Sequence, residues 1–273
     1  MVESIKELNR ICQKPRYKEV GNWMVRNILR EAALPATWLL LHTSVTANQV
    51  TVASLIVGLA GIGALVFHPT ACFVLGVFLI QLWYYLDHVD GQIARYRHTV
   101  SLTGRFLDFL THHIMHGTVL FGLGFYVFRL TGNSFFMLWG FVASMAILSF
   151  NMIHDVKYKA YCEKMYGAKS IEVLASEKTG SPEPPAVGGG LDAKKIFSFL
   201  HKICEIHVLM NILTACAVLQ IFFGTALDYR AILFFVYAVV APVIAIVKMT
   251  YIVRQQKIDS DFRSEFSLHE EQS

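Results

Sequence analysis

The sequence predicts an all-α membrane protein, a bundle of six transmembrane helices with an amphipathic interfacial helix at its N-terminus. Of the 273 residues, 55% are hydrophobic and only 16% are charged, whereas a water-soluble domain carries about 25% charged residues. Six segments also hold roughly 20 mostly apolar residues, the length at which a helix crosses a bilayer. They are 48–67, 71–88, 106–128, 135–154, 207–227 and 231–253. Helices are expected because lipid leaves no partner for bare backbone groups.

Residues 1–46 are predicted to be a cytoplasmic N-terminus that contains the interfacial helix. Apolar and basic side chains alternate there at helical spacing, as in helices that lie flat in a membrane surface. The apolar positions are Val20, Trp23, Met24, Ile28 and Leu29, and the basic ones are Lys18, Arg26 and Arg30. A soluble helix packed on the inner loops is the alternative. We expect no cleavable signal peptide, since these residues lack a leading apolar stretch.

Residues 47–255 are predicted to form the six-span domain, with Thr46 as the N-cap of the first span. A short polar turn at 91–103 separates the second and third spans. The long inner segment 156–205 is rich in Gly, Pro and Ser at its centre and is expected to be a cytoplasmic loop. The polar tail 256–273 is expected to be frayed.

The distribution of basic residues predicts the orientation. Of the 24 Lys and Arg residues, only Arg129 and Arg230 fall in the three predicted outer loops, which is typical of a multi-pass protein with a cytoplasmic N-terminus. The net charge of +4 then lies mainly on one face and suits membrane lipid and anionic substrates. No nucleic-acid-binding signature accompanies it, so we expect no nucleic-acid partner. The five cysteines show no metal or disulfide spacing and are expected to be apolar fillers.

Three aspartates interrupt this apolar pattern within residues 87–113. Asp87 and Asp90 are three residues apart at the inner end of the second span, so they share a helix face. Gly104, Asp108 and His112 are spaced by four and share a face at the start of the third span. If the two spans are antiparallel neighbours, the two faces confront each other near the membrane surface.

Close carboxylates repel one another, and burial increases the cost, so a cation is expected between them. The nearby candidates are Arg95, Arg97 and Arg105, which would form a salt-bridged structural network. A divalent metal satisfies three carboxylates more completely, and oxygen ligands favour Mg²⁺, Mn²⁺ or Ca²⁺. Gly91 and Gly104 support the metal hypothesis, because a missing side chain lets a bulky ligand approach the backbone.

The stretch DHVDGQIAR, eight further residues and then GRFLDFLTH resembles the signature of the CDP-alcohol phosphotransferases, D-x2-D-G-x2-A-R-x8-G-x3-D-x3-D. Seven of the eight fixed positions agree, which by chance is an event on the order of one in 10⁸. The upstream TANQVT also resembles the family's T-P-N-x-V-T, with Ala47 in place of proline. Six spans and an interfacial helix extend the resemblance over about residues 20–253.

This resemblance implies a metal-dependent transfer from a CDP-linked donor to an alcohol acceptor, with CMP as the leaving group. It assigns Asp87, Asp90 and Asp108 to divalent metal, Mg²⁺ or Mn²⁺, with two ions expected. It places Gly91, Ala94, Arg95 and Gly104 beside the CDP moiety, with Asn48 as a further contact. Homodimers are common in the family, so a homodimer is a possible state of this chain.

His112 stands where the family has its last aspartate, which is thought to act as base and metal ligand. A neutral imidazole can accept a proton near neutral pH and can bind Mn²⁺ or Zn²⁺ more readily than Mg²⁺. We therefore predict His112 as both base and metal ligand. The alternatives are another base, His113 or His116, or a relative that binds nucleotide without turnover.

The predicted activity belongs to phospholipid or phosphodiester biosynthesis, with the active site facing the cytoplasm. CDP-diacylglycerol and a soluble CDP-headgroup both fit as donor, because the signature concerns the CDP end. A hydrolase of the same fold and a non-catalytic nucleotide- or metal-binding scaffold are the alternatives. A phosphorylated acceptor would need basic residues near the site, for which Arg105, Lys157 and Arg254 are candidates.

Overall fold

The computed structural model describes residues 2–13, 23–167, 172–175, 202–224 and 227–269. Six of its helices are long and apolar enough to cross a membrane, which confirms the predicted all-α, six-span, multi-pass membrane protein. The apolar stretches are Ala47–Leu65, Thr70–Tyr96, Leu102–Thr131, Phe135–Ile153, Ile206–Phe223 and Tyr229–Arg254.

The elements are labelled in chain order. Three helices precede the first span: α1 (Ile5–Ile11), α2 (Arg30–Ala32), which directly follows a π-helical turn at Val25–Leu29, and α3 (Leu34–Leu41). The spans are α4 (Ala47–Leu65), α5 (Thr70–Tyr96), α6 (Leu102–Thr131), α7 (Phe135–Gly167), α8 (Ile206–Phe223) and α9 (Tyr229–Arg254). Helix α10 (Lys257–Glu265) follows, and β1 (Glu172–Ala175) pairs antiparallel with β2 (Phe266–His269).

The six spans form a closed ring of contacts. Helix α4 packs against α5 and α6, and α6 packs against α7. Helix α9 packs against α7 and α8, and α8 returns to α5. The interior is a continuous apolar cluster around buried Trp83, Leu120, Tyr126, Phe234 and Tyr237. Consecutive helices of this ring are joined by short connections, except for α7 and α8, which are joined through the predicted 156–205 segment.

The N-terminal helices lie against the end of this ring where α5 ends and α6 begins. We term this the inner end and the opposite one the outer end. Met24 and Leu29 pack on the bundle core and Val25 is buried, whereas Trp23 and Ile28 are about half exposed or more. The expected amphipathic pattern is therefore present from residue 23 onward, with one apolar side on the bundle and another facing outward. Val20 and Lys18 lie outside the described residues.

Several helices are longer than predicted, because they continue past the apolar residues from which their ends were predicted. The turn expected at 91–103 occupies only 97–101, since α5 runs to Tyr96 and α6 begins at Leu102. Ser101 caps α6 by accepting a hydrogen bond from the Gly104 amide at 3.0 Å. Polar residues do not end a helix unless a cap or breaker does so.

Two segments expected to be irregular contain regular structure. Helix α7 continues through the start of the predicted 156–205 loop to Gly167. The tail expected to be frayed forms α10, which is held on α7 by the Lys157–Asp261 ion pair at 3.0 Å and by the ring of Tyr161 against buried Phe262. Residues 176–201 of the predicted loop lie outside the described residues.

The start of the first span is a capping box. The Thr46 hydroxyl accepts from the Gln49 amide at 3.3 Å, and the Gln49 side chain accepts from the Thr46 amide at 2.9 Å. Two amides that no intrahelical carbonyl can reach are satisfied in this way. The prediction of Thr46 as N-cap is confirmed.

A proline inside α9 is compensated by a neighbouring span. Pro242 has no amide hydrogen to donate to the carbonyl of Ala238, four residues earlier. The indole Nε1 of Trp139, on α7, donates to that carbonyl at 2.9 Å. An apolar surrounding makes an unmet carbonyl costly, so this contact both permits the proline and holds α7 beside α9.

At the outer end, a buried arginine holds the connection between α4 and α5. The Arg230 guanidinium donates to the carbonyls of Phe67 and His68, at 2.7 Å each. It also lies 3.9 Å from the centroid of the Tyr126 ring, and Tyr126 in turn donates to Asp228. Arg230 was counted in an outer loop from the sequence, but it lies in the first turn of α9 and is buried.

Two glycines bring α6 and α7 into backbone contact. A Cβ added at Gly124 would lie 2.6 Å from the Cα of Gly140 and 2.7 Å from the Phe136 carbonyl oxygen. A Cβ at Gly140 would lie 2.8 Å from the Cα of Gly124. Since backbone cannot move aside as a flexible side chain does, both positions require glycine.

We predict that Gly124→Ala lowers the free energy of unfolding by about 1–3 kcal/mol, because the added methyl group forces α6 and α7 apart. Gly63→Ala is the matched control, since a Cβ there meets no atom within 4 Å. Thermal unfolding in detergent micelles measures both. Equal melting temperatures for wild type and Gly124→Ala would contradict the close packing.

Candidate functional site

The inner end of the bundle contains a cavity of about 540 Å³ between the N-terminal helices, α4, α5 and the start of α6. All seven signature positions that match the family pattern line this one cavity. They are Asp87, Asp90, Gly91, Ala94, Arg95, Gly104 and Asp108, and Asn48 lines it as well. Residues from two helices joined by only five residues therefore face the same space.

Asp87, Asp108 and His112 form the polar centre of the site. The His112 Nε2 lies 2.9 Å from Asp87 Oδ1 and 3.4 Å from Asp108 Oδ1. One ligand atom from each residue lies within 4.8 Å of the other two. The sequence predicted that the faces of α5 and α6 would confront each other, and the described side chains do so.

Asp90 occupies a different part of the cavity. Its carboxylate is buried and accepts a hydrogen bond from the Thr51 hydroxyl on α4 at 2.5 Å. Among the described residues, Asp90 is not part of the close group that Asp87, Asp108 and His112 form. The predicted convergence of three carboxylates is thus two carboxylates and an imidazole, with the third carboxylate beside them in the cavity.

The glycine at 91 makes room for Arg95. A Cβ at Gly91 would lie 3.1 Å from an Arg95 guanidinium nitrogen. The Nε of Arg95 donates to the carbonyl of Cys12, which is buried beneath the N-terminal helices. Burial raises the pKa of the Cys12 thiol to about 11, so the thiol is neutral near pH 7. Cys12 therefore serves Arg95 through its backbone.

The glycine at 104 makes room for Asn48 in a similar way. A Cβ at Gly104 would lie 3.3 Å from Asn48 Oδ1 and 3.4 Å from Ser101 Oγ. We expected these two glycines to admit a ligand to the backbone. In the structure the side chain of Arg95 occupies the space beside Gly91, and those of Asn48 and Ser101 occupy the space beside Gly104.

The two alternative bases lie away from the cavity. His113 Nε2 is 3.5 Å from Asp155 Oδ2 on α7, on another side of α6. His116 is buried one turn deeper, with its ring centroid 5.9 Å from that of His112. Of the three candidate bases, His112 contacts the carboxylates that line the cavity.

The candidate phosphate-binding residues separate similarly. Arg105 lines the cavity. Lys157 is paired with Asp261, and Arg254 ends α9; neither is among the lining residues. Arg97 donates to the carbonyls of Thr43 and Val45 at 2.7 and 2.6 Å, so it holds the segment before α4 in place.

Several lining residues were not predicted from the sequence. They are Gln13, Arg30, Ala47, Thr51, His88, Gln92, Thr99, Val100 and Ser101. Thr51 stands inside the quoted TANQVT, and Gln92 stands between two signature positions, so the motif could have indicated both. Gln13 and Arg30 reach the cavity only through tertiary packing, which no local pattern reveals.

The donor atoms suit a divalent cation. Two carboxylates and one imidazole from facing helices offer two oxygens and one nitrogen within a common reach. This set fits Mn²⁺ better than Mg²⁺, which prefers oxygen ligands. The close group can account for one ion; the second expected ion stays a prediction.

The sequence model of the CDP-alcohol phosphatidyltransferase family matches residues 44–176. The chain is 32% identical over 107 residues to the phosphatidylinositol phosphate synthase of Streptomyces avermitilis, which covers 38% of this chain and 42% of the relative. It is 29% identical over 168 residues to the bifunctional IPC transferase and DIPP synthase of Thermococcus kodakarensis, covering 60% of this chain and 36% of the relative. The chain thus matches less than half of each curated relative.

The fold is similar to a crystal structure of the phosphatidylinositol phosphate synthase of Mycobacterium tuberculosis with CDP-DAG bound. The TM-score is 0.52, the identity is 16%, and the match covers 82% of this chain and 92% of the other. At that identity the similarity establishes a common fold.

We predict that Asp108→Asn weakens Mn²⁺ binding by about tenfold or more, because it removes a charged ligand from the close group. Asp155→Asn is the matched control, since Asp155 is also an acidic residue near the inner end but does not line the cavity. Electron paramagnetic resonance of purified protein titrated with Mn²⁺ measures both affinities. Equal affinities for the two variants would refute the assignment.

Proposed function

Because residues 44–176 match the sequence model of the CDP-alcohol phosphatidyltransferase family, we propose that the protein transfers a substituted phosphoryl group from a CDP-alcohol to an alcohol acceptor. The acceptor hydroxyl gives up its proton to a base, and its oxygen forms a bond to the phosphorus that carries the donor's alcohol. The bond from that phosphorus to the bridging oxygen breaks, and CMP leaves with the bridging oxygen. The observation that carries the proposal is that all seven matching signature residues line one cavity.

The cavity can bind a diphosphate only when the negative charge of the aspartates that line it is compensated. Asp87, Asp90 and Asp108 would otherwise repel the donor's phosphates. We assign Asp87, Asp108 and His112 to a divalent cation, with Asp90 as a further ligand in the same cavity. A bound cation would supply the positive charge that the diphosphate and the departing CMP require.

The remaining signature residues are proposed to hold the CDP moiety. Gly91 and Gly104 let the side chains of Arg95 and Asn48 lie close to the backbone. Ala94 adds only a methyl group to the lining, and Asn48 offers an amide for hydrogen bonds. Arg95 is held in place through the Cys12 carbonyl, so its guanidinium needs little reorganisation to meet a ligand. Positioning of this kind carries much of the catalysis in phosphoryl transfer.

His112 is proposed first as a metal ligand. An ionised carboxylate only accepts hydrogen bonds, so the contact at 2.9 Å requires His112 Nε2–H to donate to Asp87. The same nitrogen cannot hold that proton and bind a cation, so metal binding would displace the proton. A base role at Nε2 is likewise incompatible with cation binding at that atom, which makes the two predicted roles separable by experiment.

The membrane context supports a lipid in the reaction. The cavity lies at the end of the bundle where most of the Lys and Arg residues fall, so we propose that it faces the cytoplasm. A fold relative has CDP-DAG bound, and this cavity lies at one end of six helices that are long and apolar enough to cross a membrane. CDP-diacylglycerol is therefore our proposed donor, with a CDP-headgroup as the other donor to test.

We predict that Asp108→Ala abolishes CMP release from CDP-diacylglycerol in purified, Mn²⁺-supplemented protein, because it removes a charged group that would hold the cation. Radiolabelled CMP, measured with a panel of polyol and polyol-phosphate acceptors, reports turnover. Asp155→Ala is the control and is expected to retain activity.

Acceptor dependence separates the transferase from its alternatives. CMP release that requires an added alcohol supports the transferase, and release without one identifies a hydrolase instead. Full turnover by Asp108→Ala would remove the metal assignment. No CMP from either CDP-diacylglycerol or CDP-headgroups, in protein that binds CDP, would support the non-catalytic scaffold.

We predict that His112→Asp shifts the metal preference from Mn²⁺ toward Mg²⁺, because it replaces a nitrogen ligand by an oxygen. His112→Ala should raise the Mn²⁺ concentration needed for half-maximal activity by about tenfold or more. Metal titrations of CMP release measure both. A lower kcat in His112→Ala with an unchanged metal titration would instead identify His112 as the base.

A further inference from the structure

One wall of the cavity comes from residues that precede the family segment. Gln13 and Arg30 line the cavity together with the signature residues, yet the family match begins only at residue 44. The fold therefore adds polar residues from outside the matched segment to the cavity that the signature residues line. A ligand bound among the signature residues would lie in the same cavity as these polar side chains.

The backbone of Arg30 is fixed by two side chains from different parts of the chain. Its carbonyl accepts hydrogen bonds from Gln13 Nε2 at 3.2 Å and from Gln92 Nε2 at 2.7 Å. Gln92 is buried and its Oε1 accepts from the Thr37 hydroxyl at 2.6 Å. A chain of four residues thus locks α2 onto α5 at the cavity wall.

This network fixes the backbone of Arg30 at the cavity wall. Both bonds end on the carbonyl of residue 30, so they are preserved when the side chain is replaced. Tyr85 adds a third tie by donating to the Ala32 carbonyl at 3.0 Å. The Arg30 guanidinium lies within electrostatic range of His88 and Arg95, both of which line the same cavity.

The other guanidinium groups near the cavity differ in how they are engaged. Arg95 Nε donates to Cys12, and Arg97 is occupied by the carbonyls of Thr43 and Val45. Arg105 lines the cavity from α6 and is exposed. Arg30 and Arg105 both line the cavity, Arg30 from α2 and Arg105 from α6.

Resting on the proposed function, we infer that Arg30 binds a phosphate oxyanion in this cavity. Guanidinium groups match phosphate geometry through paired N–H donors, and the backbone of Arg30 is already fixed at the cavity wall. The oxyanion belongs either to the donor's diphosphate or to a phosphate on the acceptor. The chemistry is the same in both cases, and binding measurements distinguish them.

The test compares wild type with Arg30→Ala and Arg30→Lys by isothermal titration calorimetry in detergent with Mn²⁺. The first arm measures Kd for cytidine and CDP. The second measures binding of inorganic phosphate to protein saturated with CMP. Arg10→Ala is the matched control, because it removes an exposed guanidinium from the same N-terminal region without touching the cavity. Melting temperatures establish that each variant is folded.

If the oxyanion belongs to the donor, we expect Arg30→Ala to raise the Kd for CDP by about 10- to 100-fold and to leave the Kd for cytidine unchanged. If it belongs to the acceptor, we expect Arg30→Ala to lose the binding of inorganic phosphate to the CMP complex and to keep the Kd for CDP unchanged. Arg30→Lys should retain part of either affinity, since it keeps the charge but not the paired donors. Unchanged CDP affinity in Arg30→Ala, together with phosphate binding that is absent from wild type or equal in both proteins, overturns the inference.

These arms need no turnover. If CDP-alcohols gave no CMP, the proposed transferase would fail while the role of Arg30 in oxyanion binding would still be decided. Conversely, if Arg30→Ala changed neither CDP binding nor phosphate binding in a protein that releases CMP, the role of Arg30 would fail and the proposed transferase would stand.

Discussion

The contact of His112 with Asp87 and Asp108 is the constraint around which the inner end of this bundle is built. Two acidic side chains on adjoining helices lie within a few ångströms of each other, in a protein that is otherwise strongly apolar. Their charges can be tolerated only where a partner that donates a hydrogen bond or carries positive charge lies between them. In the described side chains that partner is an imidazole, and in a metal-loaded protein it would be a cation.

The surrounding structure is arranged to hold those two helices in this relation. Helix α5 continues through its acidic residues, a five-residue connection reverses the chain, and the Ser101 cap starts α6 at once. Helix α4 braces the pair through Thr51 and Asp90. The N-terminal helices close the remaining side, where the Cys12 carbonyl meets Arg95. Each of these elements contributes at least one polar contact to the site.

The sequence predicted the spans and the motif but not how polar segments complete them. Apolar length and the spacing of Asp87, Asp90 and Asp108 are local properties, so the six helices and the shared face of α5 and α6 could be predicted. The ends of α5 at Tyr96 and of α7 at Gly167 could not be predicted from hydropathy. Hydropathy indicates which residues can lie in lipid, whereas hydrogen bonding determines where a helix ends. Arg30 was missed because its place at the cavity depends on a contact with Gln92, 62 residues distant in the chain. Gln13 was missed because it is held there by the carbonyl of Arg30. The separate position of Asp90 was missed because its Thr51 partner lies on another helix.

Arg230 gives the bundle a fixed pivot far from the chemistry. It fastens the α4–α5 connection to the first turn of α9 beneath Tyr126, so the outer ends of three helices are tied at one point. Helix α5 begins at Thr70, and the part of it from Thr70 to Asp87 extends about 26 Å. On such a lever, a tilt of about 2° displaces Asp87 by ~1 Å. A rocking motion of a few degrees about this outer end would therefore change the distance between Asp87 and Asp108.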